Sequence, residues 1–171
     1  MEGTPRGKVR LLPHNPAWDA EFQTVKAEIL RLWGGNVLDI QHVGSTAIPA
    51  IAAKPILDVA VLLRSIETMD HQALEDLGYD YLGCHGGGWL YVLRSETGDS
   101  LRHIHCYPQG DPDFTRQVAF RDYLLSHPET AAEYAQLKRG LAEQFAQDRG
   151  AYTARKTEFV LKVLKQALQN P

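Results

Sequence analysis

Gln41-His42-Val43-Gly44-Ser45-Thr46, followed twelve positions on by Asp58 inside Pro55-Ile56-Leu57-Asp58-Val59-Ala60-Val61-Leu62-Leu63, is the stretch that decides the fold. The first segment reads as a strand that runs into a tight turn, and the second as a buried strand carrying one carboxylate. A Gly-Ser pair in such a turn offers backbone N–H groups and a hydroxyl to an anion, and a carboxylate on the neighbouring strand can hold a metal ion beside it. Those are the elements of nucleotide chemistry. Taken alone, Gly44 would only allow the turn and Ser45 would only cap a helix.

Outward from this pair, the pattern predicts a mixed sheet with flanking helices. Lys8 to Pro13 alternates like an edge strand behind a loose tail of residues 1 to 7. Asn15-Pro16 opens a helix whose apolar residues, Trp18, Phe22, Val25, Ile29, Leu30 and Trp33, recur at helical spacing until Gly34-Gly35. Val37 to Val43 is a strand, Gly44 to Lys54 a turn with short helical pieces broken by Pro49, and Ser65 to Leu77 a second helix closed by Gly78. Tyr79 to Cys84, Trp89 to Arg94 and Leu101 to Tyr107 resemble an antiparallel meander, turned by Gly86-Gly87-Gly88 and Thr97-Gly98-Asp99. Beyond Asp113 the pattern is helical: Asp113 to Ser126, Pro128 to Asp148 and Ala151 to Gln169. The fold class is therefore α/β (α+β), one domain over 1–171, with a sheet layer at about 8–110 and a C-terminal three-helix cap at about 113–169.

Composition narrows the partners. With 18 Lys+Arg against 21 Asp+Glu the net charge is −3, which gives no overall basic field for a nucleic acid, so a small-molecule substrate is expected. Cys84 and Cys106 are too few for a disulfide framework, and no charged-then-apolar leader precedes Val9, so the cytoplasm is the expected location. Apolar runs such as Ile56 to Leu63 fall far short of the roughly 20 residues of a membrane span.

His103 and His105 share one face of their strand. Three readings stand for them: hydrogen bonding to neighbours, contacts to a phosphate or leaving group as cations or general acids, and ligation of Zn²⁺ or Mn²⁺ together with Asp58, with His42 as a further candidate ligand. Orienting the turn is the favoured role for His42. Lys54, at the entry to the Asp58 strand, is a solvated lysine or a charge for a substrate phosphate. Cys84 and His85 show no CxxC or HExxH spacing, and Gly86-Gly87-Gly88 lacks the Lys-Ser/Thr of a P-loop, so a hairpin is its plainer reading. On the cap, Tyr134 with Lys138 and Tyr152 with Lys156 are i,i+4 pairs that set a ring and an ammonium on one side. With Arg121 they are candidates for lining a phosphate or carboxylate site, although most charges there suit a solvated face.

The Gly-Ser turn with its following Asp strand resembles the signature of the nucleotidyltransferase superfamily. More narrowly, His42-Val-Gly-Ser-Thr-Ala-Ile-Pro49, Ala52-Ala-Lys-Pro-Ile-Leu-Asp58, Arg102-His-Ile-His105, Phe120-Arg-Asp-Tyr-Leu124, His127-Pro-Glu129, Tyr134, Leu137-Lys138 and Tyr152-x3-Lys156 resemble the GrpB family from about residue 8 onward. That resemblance implies a nucleotidyltransferase-like fold and, in some members, fusion to dephospho-CoA kinase. The superfamily resemblance implies triphosphate contacts at the Gly44-Ser45 turn and a divalent metal on Asp58; joined to the residue readings above, the candidate phosphate contacts are His42, Gly44, Ser45, Thr46, Lys54, Arg121, Lys138, Tyr152 and Lys156, and the candidate catalytic and metal-binding residues are Asp58, His103 and His105. The metal expected is Mg²⁺ or Mn²⁺, with Zn²⁺ as the softer option. One departure bears on activity: the superfamily strand carries two acids two positions apart, and position 60 here is Ala. One carboxylate with two imidazoles is a softer set than two-metal phosphoryl transfer uses. Three functions follow: a nucleotide- or phosphometabolite-binding domain that transfers a nucleotidyl group to a small acceptor, a silent module binding for instance a CoA-related metabolite, and a metal-dependent hydrolase built on Asp58, His103 and His105.

Overall fold

The computed structural model describes residues 3–4 and 9–169. The predicted tail and the start of the expected edge strand at Lys8 lie for the most part outside the described residues. Over 9–13 no regular strand forms; Leu12 makes a single antiparallel bridge with Ala53, the two exchanging N–H···O bonds of 2.8 and 2.9 Å. Pro13 has no N–H with which to continue such a ladder.

Helix α1, Ala17–Trp33, opens where Asn15 Oδ1 accepts the Ala17 N–H at 3.0 Å, and it buries Trp18, Phe22, Val25, Ile29 and Trp33 as one stripe. The strands are β1 Val37–Val43, β2 Leu57–Leu63, β3 Tyr79–His85, β4 Gly88–Arg94 and β5 Ser100–Pro108, joined in the order β1-β2-β5-β4-β3. The β3-β4-β5 meander is antiparallel as predicted, β1 pairs antiparallel with β2, and β2 runs parallel to β5. The parallel pairing explains the apolar run in β2: Leu57, Val59, Ala60, Val61 and Leu63 are fully buried because both faces of that strand are covered.

Side chains alternate between the two faces. Val59, Val61, Ile104 and Cys106 meet the α1 stripe in the main core. On the other face Val43, Ala60 and Tyr107 pack against Phe114 of helix α3, Pro112–Ser126. Helices α4, Pro128–Gln144, and α5, Arg149–Ala167, complete the cap, and Leu124, Ala131 and Tyr134 close over Ile48 and Ile51 of the turn region after β1.

The helix expected over 65–77 is a single short one, α2, His71–Glu75. Asp70, a strong N-cap residue, accepts the Gln72 N–H at 3.0 Å and starts the helix late, while Ile66 to Met69 turns instead so that Met69 reaches the core. The expected 128–148 helix ends at Gln144, and Asp148 caps α5 by accepting the Ala151 N–H at 2.9 Å. Gly86-Gly87 is a hairpin turn, with Gly88 already in β4, where a Cβ would lie 2.3 Å from the Cys106 carbonyl oxygen. No described helix is long and apolar enough to cross a membrane.

Candidate functional site

The site is set by strand register. Val43 pairs with Asp58 across β1–β2, and Asp58 with His103 and Ala60 with His105 across β2–β5. Asp58, His103 and His105 thus rise from one face of adjacent strands, at the edge of the cap. Asp58 Oδ1 lies 3.2 Å from His103 Nδ1 and 3.2 Å from His105 Nε2. Among the described residues these three form a group whose candidate ligand atoms all fall within 4.8 Å of one another. Burial alone would raise the Asp58 carboxyl, but hydrogen bonds from His103 and His105, and their charge, outweigh it and hold the group well below the usual carboxylate range.

Gly44 is the residue that lets the turn close over this acid. Its φ of +70° is open to glycine, and a Cβ there would stand 2.7 Å from Asp58 Oδ2. Ser45, Thr46 and Ala47 then form one turn of 3-10 helix.

Three lysines complete the wall. Lys138 of α4 is 2% exposed, and its Nζ donates to Ser45 Oγ at 3.0 Å and to the Ala52 carbonyl oxygen. It also lies 4.9 Å from the centroid of the Tyr134 ring. Burial, followed by the charges of Lys156 and Lys54, pushes its pKa down to about 7. Lys54 and Lys156 each place Nζ 5.3 Å from the Tyr152 ring centroid. The buried Tyr152 hydroxyl has no hydrogen-bond partner among the described residues. Gly44, Ser45, Thr46, Lys54, Asp58, His103, His105, Lys138, Tyr152 and Lys156 line one hollow of 340 Å³, together with Phe120, Tyr134 and Thr153. Thr153 carries no signal in the sequence, because its polar side chain reads as solvated surface.

Two expected phosphate contacts stand elsewhere. His42 alternates to the opposite face, stacks on Phe22 at 5.2 Å and sets Nε2 2.9 Å from Thr46 Oγ1. Burial, only partly opposed by Asp19 and Asp58, lowers it to about 4, so it is a neutral brace for the turn. Arg121 donates to Gln41 Oε1 at 2.8 Å and to the His42 carbonyl oxygen at 2.7 Å, which fastens α3 to the end of β1. Neither lines the hollow, because both are spent on holding the turn from behind. A further brace escaped the sequence reading: Arg102, next to His103, points to the α1 side and donates to Glu21 Oε1 at 2.7 Å and to the Tyr79 hydroxyl at 3.1 Å.

The position of the missing second acid is explicit. Ala60 is fully buried against Val43, Tyr107 and Phe114, so hydrocarbon fills the space next to Asp58 along β2.

A family model described as GrpB protein matches residues 8–166. The chain belongs to the GrpB family. The protein YqkA of Bacillus subtilis is 35% identical over 91% of this chain, which spans 46% of that relative's length. The glutamate-rich protein GrpB of Alkalihalophilus pseudofirmus is 34% identical over 97% of this chain and 99% of its own length. A dephospho-CoA kinase of Mycolicibacterium paratuberculosis is 26% identical over 87% of this chain and 43% of its length. Among solved structures, GrpB from Enterococcus faecalis superposes with a TM-score of 0.85 at 31% identity, covering 94% of this chain and 98% of that one. A Cid1 poly(U) polymerase with magnesium and 3′-dATP bound superposes with a TM-score of 0.51 at 13% identity, over 85% of this chain and 49% of that one. The GrpB chain thus has a nucleotidyltransferase-like mixed α+β fold.

Proposed function

We propose that this GrpB chain binds a nucleotide or another phosphorylated metabolite in the hollow between the sheet and the cap, against Asp58. The observation that carries this reading is that three lysine side chains, those of Lys54, Lys138 and Lys156, and the Asp58-His103-His105 group line the same hollow. The lysines and Ser45 suit the oxygens of a phosphate, and the acid with its two imidazoles suits a divalent ion beside it. The fold shared with a nucleotide-bound polymerase and the likeness to dephospho-CoA kinases support the same ligand class.

Asp58, His103 and His105 would hold the ion, with one hard oxygen and two nitrogens favouring Zn²⁺ or Mn²⁺ over Mg²⁺. A divalent ion there would polarise a phosphoryl oxygen and neutralise its charge. The chain's own contribution to nucleotidyl transfer is orientation: Lys138 fixes the Ser45 hydroxyl, and Lys54 and Lys156 set the charge. Against turnover stands one observation, the packed methyl of Ala60 where active transferases place an acid, and it favours a second reading as a ligand-binding module without catalysis.

Thermal shift and calorimetry with nucleoside triphosphates, each with and without Mn²⁺, test the proposal. Stabilisation that Asp58→Ala and Lys156→Ala both weaken is the expected result. No stabilisation by any of these ligands, in the parent and both variants alike, would remove it. Metal-dependent product formation abolished by Asp58→Asn decides for transfer; ligand binding without product over long incubation decides for the silent module.

A further inference from the structure

A second space adjoins the hollow at Gly44. Gly44 and Phe120 also line a larger depression of 800 Å³ that runs between α3 and α5. Its α5 wall is aliphatic. Leu161, Leu164 and Leu168 stand at i, i+3 and i+7 on one helical stripe beside Val160, and Leu161 and Leu168 are 61% and 48% exposed. The two spaces share Gly44 and Phe120 as lining residues, and Gly44 adds no side chain to that border. Exposed leucines gathered in a concave trough are the mark of a surface that something covers.

The trough's aromatic walls are engaged elsewhere. Phe120 meets Tyr134 edge to face at 5.3 Å, and Tyr107 lies between His105, stacked at 6.5 Å, and Phe114, edge-on at 6.4 Å. What the trough offers a ligand is aliphatic contact, with Lys165 and an Arg116–Asp113 ion pair at its edge. The cationic hollow and the aliphatic trough together match a molecule that is anionic at one end and aliphatic along its body.

We propose that the ligand is an amphipathic phosphate ester, whose phosphate occupies the lysine-lined hollow and whose aliphatic body lies in the trough between α3 and α5. The phosphate end rests on the phosphate-binding reading given above; the trough adds the chemistry of the rest of the molecule.

The test is calorimetry on the full chain with inorganic phosphate, methyl, butyl and hexyl phosphate, and adenosine monophosphate, each with and without Mn²⁺. Affinity is expected to rise about three- to fourfold for each methylene that enters the trough. The double variant Leu161→Gln, Leu168→Gln, both on exposed positions, is expected to flatten that rise, while Leu82→Gln on the exposed side of β3 leaves it intact. Equal affinities along the series, with phosphate itself bound, overturn the trough and leave the phosphate reading standing. Failure of every ester and of phosphate alike overturns both. Tighter binding of adenosine monophosphate than of hexyl phosphate overturns the aliphatic body in favour of a planar base. A dimer in light scattering that the double leucine variant dissolves assigns the trough to a second copy and overturns the proposal as well.

Discussion

Replacing Lys138 by Met should remove the rise of stability with pH that the parent draws from this residue. In the folded state Lys138 is 2% exposed, has Ser45 Oγ and the Ala52 carbonyl as its hydrogen-bond acceptors, and shares its hollow with Lys54 and Lys156. Burial first, and those two charges next, bring it from the ordinary 10.5 to about 7. The folded value lies below the unfolded one, so between about pH 7 and 10.5 the unfolded chain holds a proton that the folded chain has released. Unfolding free energy from this group therefore rises with pH across that window, by roughly 1.4 kcal/mol per pH unit, and is flat on either side of it. Between pH 7 and 9 the gain is on the order of 2 kcal/mol.

Lys138→Met keeps length and hydrocarbon and removes the proton. It also strips Ser45 Oγ and the Ala52 carbonyl of a donor, at a cost of about 1 to 3 kcal/mol. The variant should exceed the parent in stability near pH 6, and that advantage should shrink by about 2 to 3 kcal/mol by pH 9. Urea unfolding followed by circular dichroism at both pH values measures this, and parallel profiles for the two proteins would refute the burial argument. A phosphate seated beside Lys138 would restore its charge, so binding should take up a proton and weaken above pH 7.

Gly44→Ala forces a left-handed φ on an alanine and drives a Cβ to 2.7 Å from Asp58 Oδ2, so a loss of about 2 kcal/mol or more is expected by chemical denaturation, together with loss of any metal-dependent stabilisation. Asp58→Asn should abolish the rise in Tm produced by Zn²⁺ or Mn²⁺ while leaving the chain folded. Ala60→Asp, which restores the acid spacing of active transferases, should cost about 3 kcal/mol or more and yield no gain in metal binding, since the carboxylate would be buried among Val43, Tyr107 and Phe114. Retained stability with tighter Mn²⁺ binding in that variant would show that the cap yields to admit a second carboxylate.

Local patterns in the chain were enough to find α1, β2 and the β3-β4-β5 meander, because each depends on periodicity and on turn residues next to it. The shared face of His103 and His105 followed from the two-residue period of a strand. Their meeting with Asp58 did not follow from any local pattern, since it depends on β5 inserting between β2 and β4 in parallel register with β2. The burial of Lys138 was equally illegible: in α4 its spacing from Tyr134 permits either a wet or a dry face, and contact with Ser45 and Ala52, both far away in sequence, decides for the dry one. His42 and Arg121 stand outside the hollow for a related reason, and the reading of His42 as a residue that orients the turn agrees with its bond to Thr46. A histidine before a Gly-Ser turn and an arginine on the cap have the right chemistry for phosphate, but strand alternation sends one ring to Phe22 and the carbonyl of His42 draws the guanidinium of the other.

The braces behind the turn and the groups in front of it divide the work. His42, held neutral on Phe22 and bonded to Thr46, and Arg121, bonded to the His42 carbonyl, immobilise the segment that carries Gly44 and Ser45. Ser45 in turn receives Lys138, and Gly44 leaves room for Asp58, so a chain of contacts links the α1 face of the sheet to the hollow on the cap face. Rigid support of this kind favours one ligand pose over many, because little ordering remains to be done on binding. It also accounts for the two histidines. With Ala60 packed, a second oxygen ligand cannot come from β2, and the nearest donors on that face are the imidazoles of β5, opposite Asp58 and Ala60 in register. Under the proposed phosphate reading of the turn, one acid and two imidazoles in place of a carboxylate pair would favour softer ions, and the comparison of Zn²⁺ and Mn²⁺ with Mg²⁺ is the measurement most sensitive to that preference.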